Sequence, residues 1–87
     1  MSSHGEISTE CRDKVLKAIQ DILDTRDKRY MFLRMEFKRL VPLINLEGTP
    51  INVSWNIYEE FRKQGMVGSL IATFNGKFDT DLMLETK

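Results

Sequence analysis

The fold predicted for this chain rests mainly on residues 65–84, which read GMVGSLIATFNGKFDTDLML. Within them, Asn75-Gly76 stands between two apolar-rich runs, and this pair is the strongest short-range signal for a β-hairpin. A three-residue loop, Phe74-Asn75-Gly76, sorts apolar and polar side chains onto opposite faces and gives Gly76 the left-handed position of a bulged turn. We therefore expect residues 67–84 to form a bulged hairpin. Its apolar face would hold Leu70, Ala72, Phe78, Leu82 and Leu84.

Upstream of this stretch, apolar residues that recur every three or four positions predict three helices. The expected ranges are Thr9–Thr25, Arg34–Val41 and Ile51–Gln64. Ser8 or Thr9 can cap helix 1, Pro42 ends or kinks helix 2, and Pro50 with Thr49 suits the start of helix 3. Gly65 is placed to end helix 3 in a left-handed conformation.

The segments between helices 1 and 3 are predicted to be short. The charged run Arg26–Arg29 lacks apolar periodicity and predicts a connector, and Tyr30–Leu33 predicts a very short strand. Residues 42–50 contain Asn, Gly and Pro and predict a loop. The expected core comprises Val15, Ile19, Ile22, Phe37, Leu40, Ile57, Phe61, Leu70, Phe78 and Leu82.

This order of elements predicts the α+β class, as a small winged helix of three helices plus a C-terminal β-hairpin wing. With 87 residues the chain is long enough for one core and too short for two. Residues 1–7 predict a flexible leader and residues 8–87 the domain. The run from Ile57 through Gly65-Met66-Val67 resembles the junction of recognition helix and wing in the winged helix-turn-helix superfamily.

A narrower resemblance is to the LOTUS domain, a winged-helix variant of germline and RNA-regulatory proteins. The similar stretches are Glu36-Phe37-Lys38-Arg39-Leu40, Glu47-Gly48-Thr49-Pro50-Ile51, and Tyr58-Glu59-Glu60-Phe61 followed by Met66-Val67. The Gly-aromatic pair usual before helix 3 in that family is replaced by Val53-Ser54-Trp55. The resemblance implies docking to an RNA helicase or binding of structured RNA.

Composition argues against several functional classes. Thirteen basic and thirteen acidic residues give zero net charge, so the overall field that draws small DNA-binding domains to phosphate is missing. One cysteine and one histidine provide no metal cluster and no paired nucleophile and base, so we expect no enzyme, no metal, no cofactor and no small-molecule substrate. For Cys11 we expect a small apolar helix residue. With no membrane span or secretory signal visible, we expect a cytoplasmic protein, or a nuclear one if the source is eukaryotic.

Helix 3 is expected to present the contact surface for a partner. Its candidate partner-binding residues are Asn52, Trp55, Asn56, Glu59, Glu60 and Lys63. The amide side chains could pair with an adenine edge, whereas two carboxylates in mid-helix would approach phosphate unfavourably. Trp55 is equally consistent with a binding hot spot and with a residue packed on the 42–50 loop.

Residues 26–39 form the best local basic patch, with six cations against Asp27 and Glu36. The cations are Arg26, Lys28, Arg29, Arg34, Lys38 and Arg39. The patch could hold a nucleic-acid backbone or an acidic protein, or it could be an ordinary solvated face.

The sequence thus favours a protein-docking adaptor within RNA- or DNA-handling machinery. The alternative is a sequence-specific DNA-binding regulator that reads bases with helix 3 and holds phosphate with the patch. The expected wing carries Lys77 against Asp79 and Asp81, which argues against DNA.

Overall fold

The computed structural model describes residues 6–86, whose secondary structure consists of helices. Its elements are α1 (Thr9–Ile22), α2 (Arg26–Glu36), a 3-10 helix (Lys38–Leu43), α3 (Pro50–Lys63) and α4 (Val67–Phe78). The pairing of Ile7 with Thr86 is an isolated antiparallel bridge, and no sheet occurs within the described residues. The predicted α+β winged helix with a β-hairpin wing is therefore wrong. None of the helices described is long and apolar enough to span a membrane.

Helices α1 and α3 lie close to where the apolar periodicity predicts them. The Ser8 hydroxyl caps α1 by accepting from the Cys11 amide at 3.1 Å, and the Thr49 hydroxyl caps α3 by accepting from the Asn52 amide at 3.3 Å. Pro50 occupies the first turn of α3, where a missing N–H costs nothing. Gly65, at φ +69°, provides the predicted left-handed residue after α3.

Between α1 and α3, the predicted loop is confirmed for residues 44–49, but the predicted connector, strand and helix 2 are wrong. The charged run forms the first turn of α2, because Thr25 caps this helix by accepting from the Lys28 amide at 3.2 Å and Asp27 favours a helix N-terminus. The expected strand, Tyr30–Leu33, lies inside the same helix. Helix 2 was expected over Arg34–Val41, but α2 ends at Glu36, and the residues around Pro42 form the 3-10 helix.

The predicted hairpin is a helix, α4, so the expected bulged turn at Asn75-Gly76 does not exist. Val67, Leu70, Ile71 and Phe74 follow the spacing i, i+3, i+4, i+7, and all four are buried. Gly76 lies within the helix, and Asp79 at φ 60° is its left-handed C-cap. In a helix, the backbone N–H and C=O groups of this segment hydrogen-bond to one another. The described residues contain no sheet against which a hairpin could pair.

Aromatic rings join the helices into one core. The Phe32 ring lies edge-on to Phe74 at 5.1 Å between centroids, and the Phe37 ring lies edge-on to Phe61 at 4.8 Å. Six of the predicted core residues are buried, namely Val15, Ile19, Leu40, Ile57, Phe61 and Leu70. The other four, Ile22, Phe37, Phe78 and Leu82, are partly buried against this core.

Residues 79–86, here called the C-terminal strap, run back over the start of α1. The Asn75 side chain holds the strap by donating to the Leu82 carbonyl at 2.8 Å and accepting from the Leu82 amide at 2.9 Å and the Thr80 hydroxyl at 2.7 Å. The Ser8 amide donates to the Glu85 carbonyl at 2.8 Å. Cys11 is buried in α1, with its Sγ 3.3 Å from the Met83 carbonyl. Most of the predicted leader, residues 1–5, lies outside the described residues.

Candidate functional site

One side of α3 gathers most of the residues expected to bind a partner. We call this side the α3 face: it consists of Asn52, Trp55, Asn56, Glu59 and Lys63, spaced i, i+3, i+4, i+7 and i+11. The opposite side of α3 packs into the core through Val53, Ile57 and Phe61, each 0% exposed. The core packing therefore turns the α3 face outward. Glu60 lies at the edge of the face and is half-buried.

Trp55 forms the apolar centre of the α3 face, and the neighbouring Ile51, one turn earlier, extends this apolar surface. Their residue exposures are 37% and 58%. The Arg12 guanidinium lies 5.1 Å from the centroid of the Trp55 ring, and the Tyr58 ring stands edge-on at 6.3 Å. These two contacts fix the orientation of the indole, whose Nε1 donates to no acceptor within residues 6–86.

The charged residues of the α3 face are paired with neighbours on the same helix. Glu59 accepts from Arg62 at 2.7 Å, and this hydrogen bond raises the pKa of the Arg62 guanidinium. Glu60 lies 3.7 Å from Lys63 and accepts from Gln64 at 2.8 Å. The carboxylates that argued against phosphate binding are thus largely compensated, and the surface around Trp55 is close to neutral.

The two asparagines of the α3 face differ in their local role. Asn56 donates from Nδ2 to the Asn45 carbonyl at 3.0 Å, which ties the loop before α3 to the helix. The Asn52 side chain makes no hydrogen bond with a described residue and is exposed. Of the two amides, Asn52 is therefore the one free to bind a ligand.

A groove runs beside Trp55, between the start of α1, α3 and the strap, and no motif in the sequence indicated it. Its walls include Arg12, Trp55, Tyr58, Arg62 and Leu84. Tyr58 is 2% exposed, and its hydroxyl makes no hydrogen bond with residues 6–86. This burial raises the pKa of the Tyr58 phenol. A buried hydroxyl without a hydrogen-bond partner is costly.

The structure does not bring the six predicted patch cations together. Arg29 is 4% exposed, and its Nε donates to the Leu23 carbonyl at 2.9 Å near the end of α1. Lys28 pairs with Asp24 at 3.0 Å and lowers the pKa of that carboxyl. Arg26 pairs with Glu47 and lowers its pKa likewise. Three cations, Arg34, Lys38 and Arg39, are exposed without a carboxylate in ion-pair distance among residues 6–86.

The outer side of α2, here called the α2 face, was not anticipated. It is a strip formed by Arg26, Asp27, Tyr30, Met31, Arg34 and Met35. Met31 and Met35 are 62% and 65% exposed, and the guanidinium carbons of Arg26 and Arg34 lie 5.1 and 5.4 Å from the Tyr30 ring centroid. The four-residue spacings 26-30-34 and 27-31-35 could have revealed the strip, but the residues were assigned to a connector and a strand.

The two faces share a pattern of side chains. Among residues 6–86, no three His, Cys, Asp or Glu side chains cluster in a way that could hold a metal ion. Exposed apolar side chains accompany one guanidinium stacked on Trp55 at the α3 face and two stacked on Tyr30 at the α2 face, a combination that suits recognition of another macromolecule. Comparisons with protein-family models, curated proteins and solved structures gave no match, so no relative assigns a ligand to either face.

Proposed function

We propose that this chain is a non-enzymatic protein-docking module and that the α3 face, with the groove beside it, is its contact surface. The observation that carries the proposal is the exposed Ile51–Trp55 pair, surrounded by charges that are already paired. Tryptophan is enriched among residues that dominate binding energy, particularly at the centre of an interface.

The surroundings of Trp55 favour binding at low entropic cost. Stacking of Arg12 on one side and the edge contact with Tyr58 hold the indole before a partner arrives. An immobilised side chain loses little conformational freedom on binding, so more of the contact energy becomes affinity.

Two hydrogen-bond donors that lack an acceptor indicate the chemistry of the partner. The indole Nε1 of Trp55 and the hydroxyl of Tyr58 have no acceptor within the described residues, and both side chains line the groove. A polypeptide segment supplies backbone carbonyls for these donors and an apolar side chain for the Ile51–Trp55 pair. A nucleic-acid backbone would instead need uncompensated cations, whereas Arg62 and Lys63 are engaged by Glu59 and Glu60.

The test is site-specific photo-crosslinking in extract of the source cells treated with nuclease. A photoreactive residue replaces Ile51 in one variant and Ala72, an exposed residue of α4, in the matched control. We expect a protein adduct from position 51, none of the same mass from position 72, and loss of the adduct in Trp55→Ala and Glu59→Arg. Equal adducts from both positions, or adducts that survive Trp55→Ala, would refute the proposal.

The affinity for duplex DNA, measured at several salt concentrations, tests the alternative function. Phosphate contacts make affinity fall with salt in proportion to their number. Because few cations near the α3 face are unpaired, we expect weak binding with a shallow salt dependence. Steep salt dependence, together with loss of a sequence preference in Asn52→Ala, would replace the docking module with a DNA-binding regulator.

A further inference from the structure

The α2 face carries two unpaired charges of opposite sign. Asp27 and Arg34 are both exposed, and neither has an ion-pair partner among residues 6–86. They are separated by seven residues, which corresponds to nearly two full turns and about 10 Å along the helix. Both therefore point the same way, outward from the core.

Apolar side chains fill the space between these charges. Met31 is 62% exposed in the middle of the strip, and the half-buried Tyr30 ring lies beside it. Met35 continues the apolar surface beyond Arg34. A methionine thioether is flexible and packs well against an aromatic ring, so this centre can seat a similar surface.

The order of the two charges along α2 indicates which partner fits the α2 face. We propose that the α2 face binds a second copy of this chain, with the two α2 helices antiparallel about a two-fold axis. In that arrangement Asp27 of each copy meets Arg34 of the other. The dimer therefore contains two Asp27–Arg34 ion pairs, and both charges of each copy gain a partner. Tyr30 of each copy then faces Met31 of the other, and Met35 lies along the aliphatic stem of Arg26.

A parallel arrangement is disfavoured, because it places Asp27 against Asp27 and Arg34 against Arg34. The inference goes beyond the proposed function, since the α2 and α3 faces share no residue. Self-association would give the assembly two α3 faces and hence bivalent docking.

The small area of the α2 face limits the expected affinity of the dimer. Each copy contributes one strip of an 11-residue helix, which is smaller than the roughly 800 Å² per partner of a standard stable interface. We therefore expect a weak dimer whose population rises with concentration. Sedimentation equilibrium of the full chain, from micromolar to millimolar concentration, measures it.

A charge-swap experiment tests the antiparallel arrangement. Asp27→Arg and Arg34→Asp should each be monomeric, because each variant brings like charges together. A one-to-one mixture should form a heterodimer, because Arg at position 27 then meets Asp at position 34, and Arg34 meets Asp27. Association in the mixture also shows that both variants are folded.

The matched control is Lys14→Asp, which reverses an exposed cation of α1 that pairs with no described residue. It should associate like the unaltered chain. Met31→Gln should reduce self-association without changing the ion pairs. A chain that stays monomeric at millimolar concentration, single variants that associate as well as the unaltered chain, or folded variants that fail to associate when mixed would each overturn the proposal.

Discussion

Replacing Gly76 by alanine distinguishes the helix found here from the hairpin that the sequence suggests. Gly76 lies in the last turns of α4, and a Cβ atom added there meets no atom within 4 Å. Alanine restricts the unfolded chain more than glycine does and favours the helix by about 0.5–1 kcal/mol. We therefore expect the free energy of unfolding to rise by about that amount, which for a domain of this size raises the melting temperature by roughly 2–8 °C.

Gly65 gives the matched contrast. Added Cβ atoms meet open space at both glycines, but Gly65 has φ +69°, where a side chain costs about 1–2 kcal/mol. Urea denaturation followed by circular dichroism should thus show Gly76→Ala stabilised and Gly65→Ala destabilised, with unchanged m-values. A bulged turn would require a positive φ at position 76. If Gly76→Ala loses as much stability as Gly65→Ala, the helical assignment of residues 67–78 fails.

Three further changes probe the core, the strap and one ion pair. Phe61→Ala empties a fully buried site and should cost about 3–5 kcal/mol in urea denaturation, so an unchanged midpoint would contradict its core position. Asn75→Ala removes three hydrogen bonds to the strap and should lower the free energy of unfolding by roughly 2 kcal/mol. Hydrogen exchange of the Leu82 amide should become faster, and unaltered exchange would contradict the strap contact. The pKa of Glu47 is lowered in the folded chain, so the stability it contributes is present above the ordinary carboxyl pKa and is lost as pH falls through the lower folded value. An NMR titration should show that pKa rising towards its ordinary value in Arg26→Gln, and no change would exclude the pair.

Local signals predicted α1 and α3 because several independent features agree there. In α3, the periodicity of Val53, Ile57 and Phe61, the cap at Thr49 and the stop at Gly65 all favour the same helix. The outward orientation of Trp55 follows from this periodicity. Its contact with Arg12 could not be predicted, because it depends on how α1 and α3 pack.

The prediction failed over residues 67–78 because one strong dipeptide signal outweighed a helical pattern that was also present. Leu70, Ile71 and Phe74 fit a helical face, and the strand assignment left Ile71 on the polar side of the hairpin. Asn75 is a turn residue in short peptides, but here its side chain binds the strap from within the helix. Tertiary contacts of this kind lie outside any local propensity.

The cations of the predicted basic patch differ in burial and pairing, which the sequence did not show. Counting cations over residues 26–39 treats every charge as exposed, whereas Arg29 is buried and hydrogen-bonded to the carbonyl of Leu23. Assigning Arg26–Arg29 to a connector also concealed the helical register that places Arg26 and Arg34 on the same tyrosine ring, Tyr30.

The bridge between Ile7 and Thr86 gives the described chain nearly the topology of a closed ring. A short linker from residue 86 to residue 7 would close that ring, and a cut after the exposed Glu47 would open it in the loop before α3. The resulting circular permutant would run α3, α4, strap, α1, α2 and 3-10 helix, and we expect it to keep the packing of these helices. It would also turn the pairing of the strap with the start of α1 into a contact between sequence neighbours.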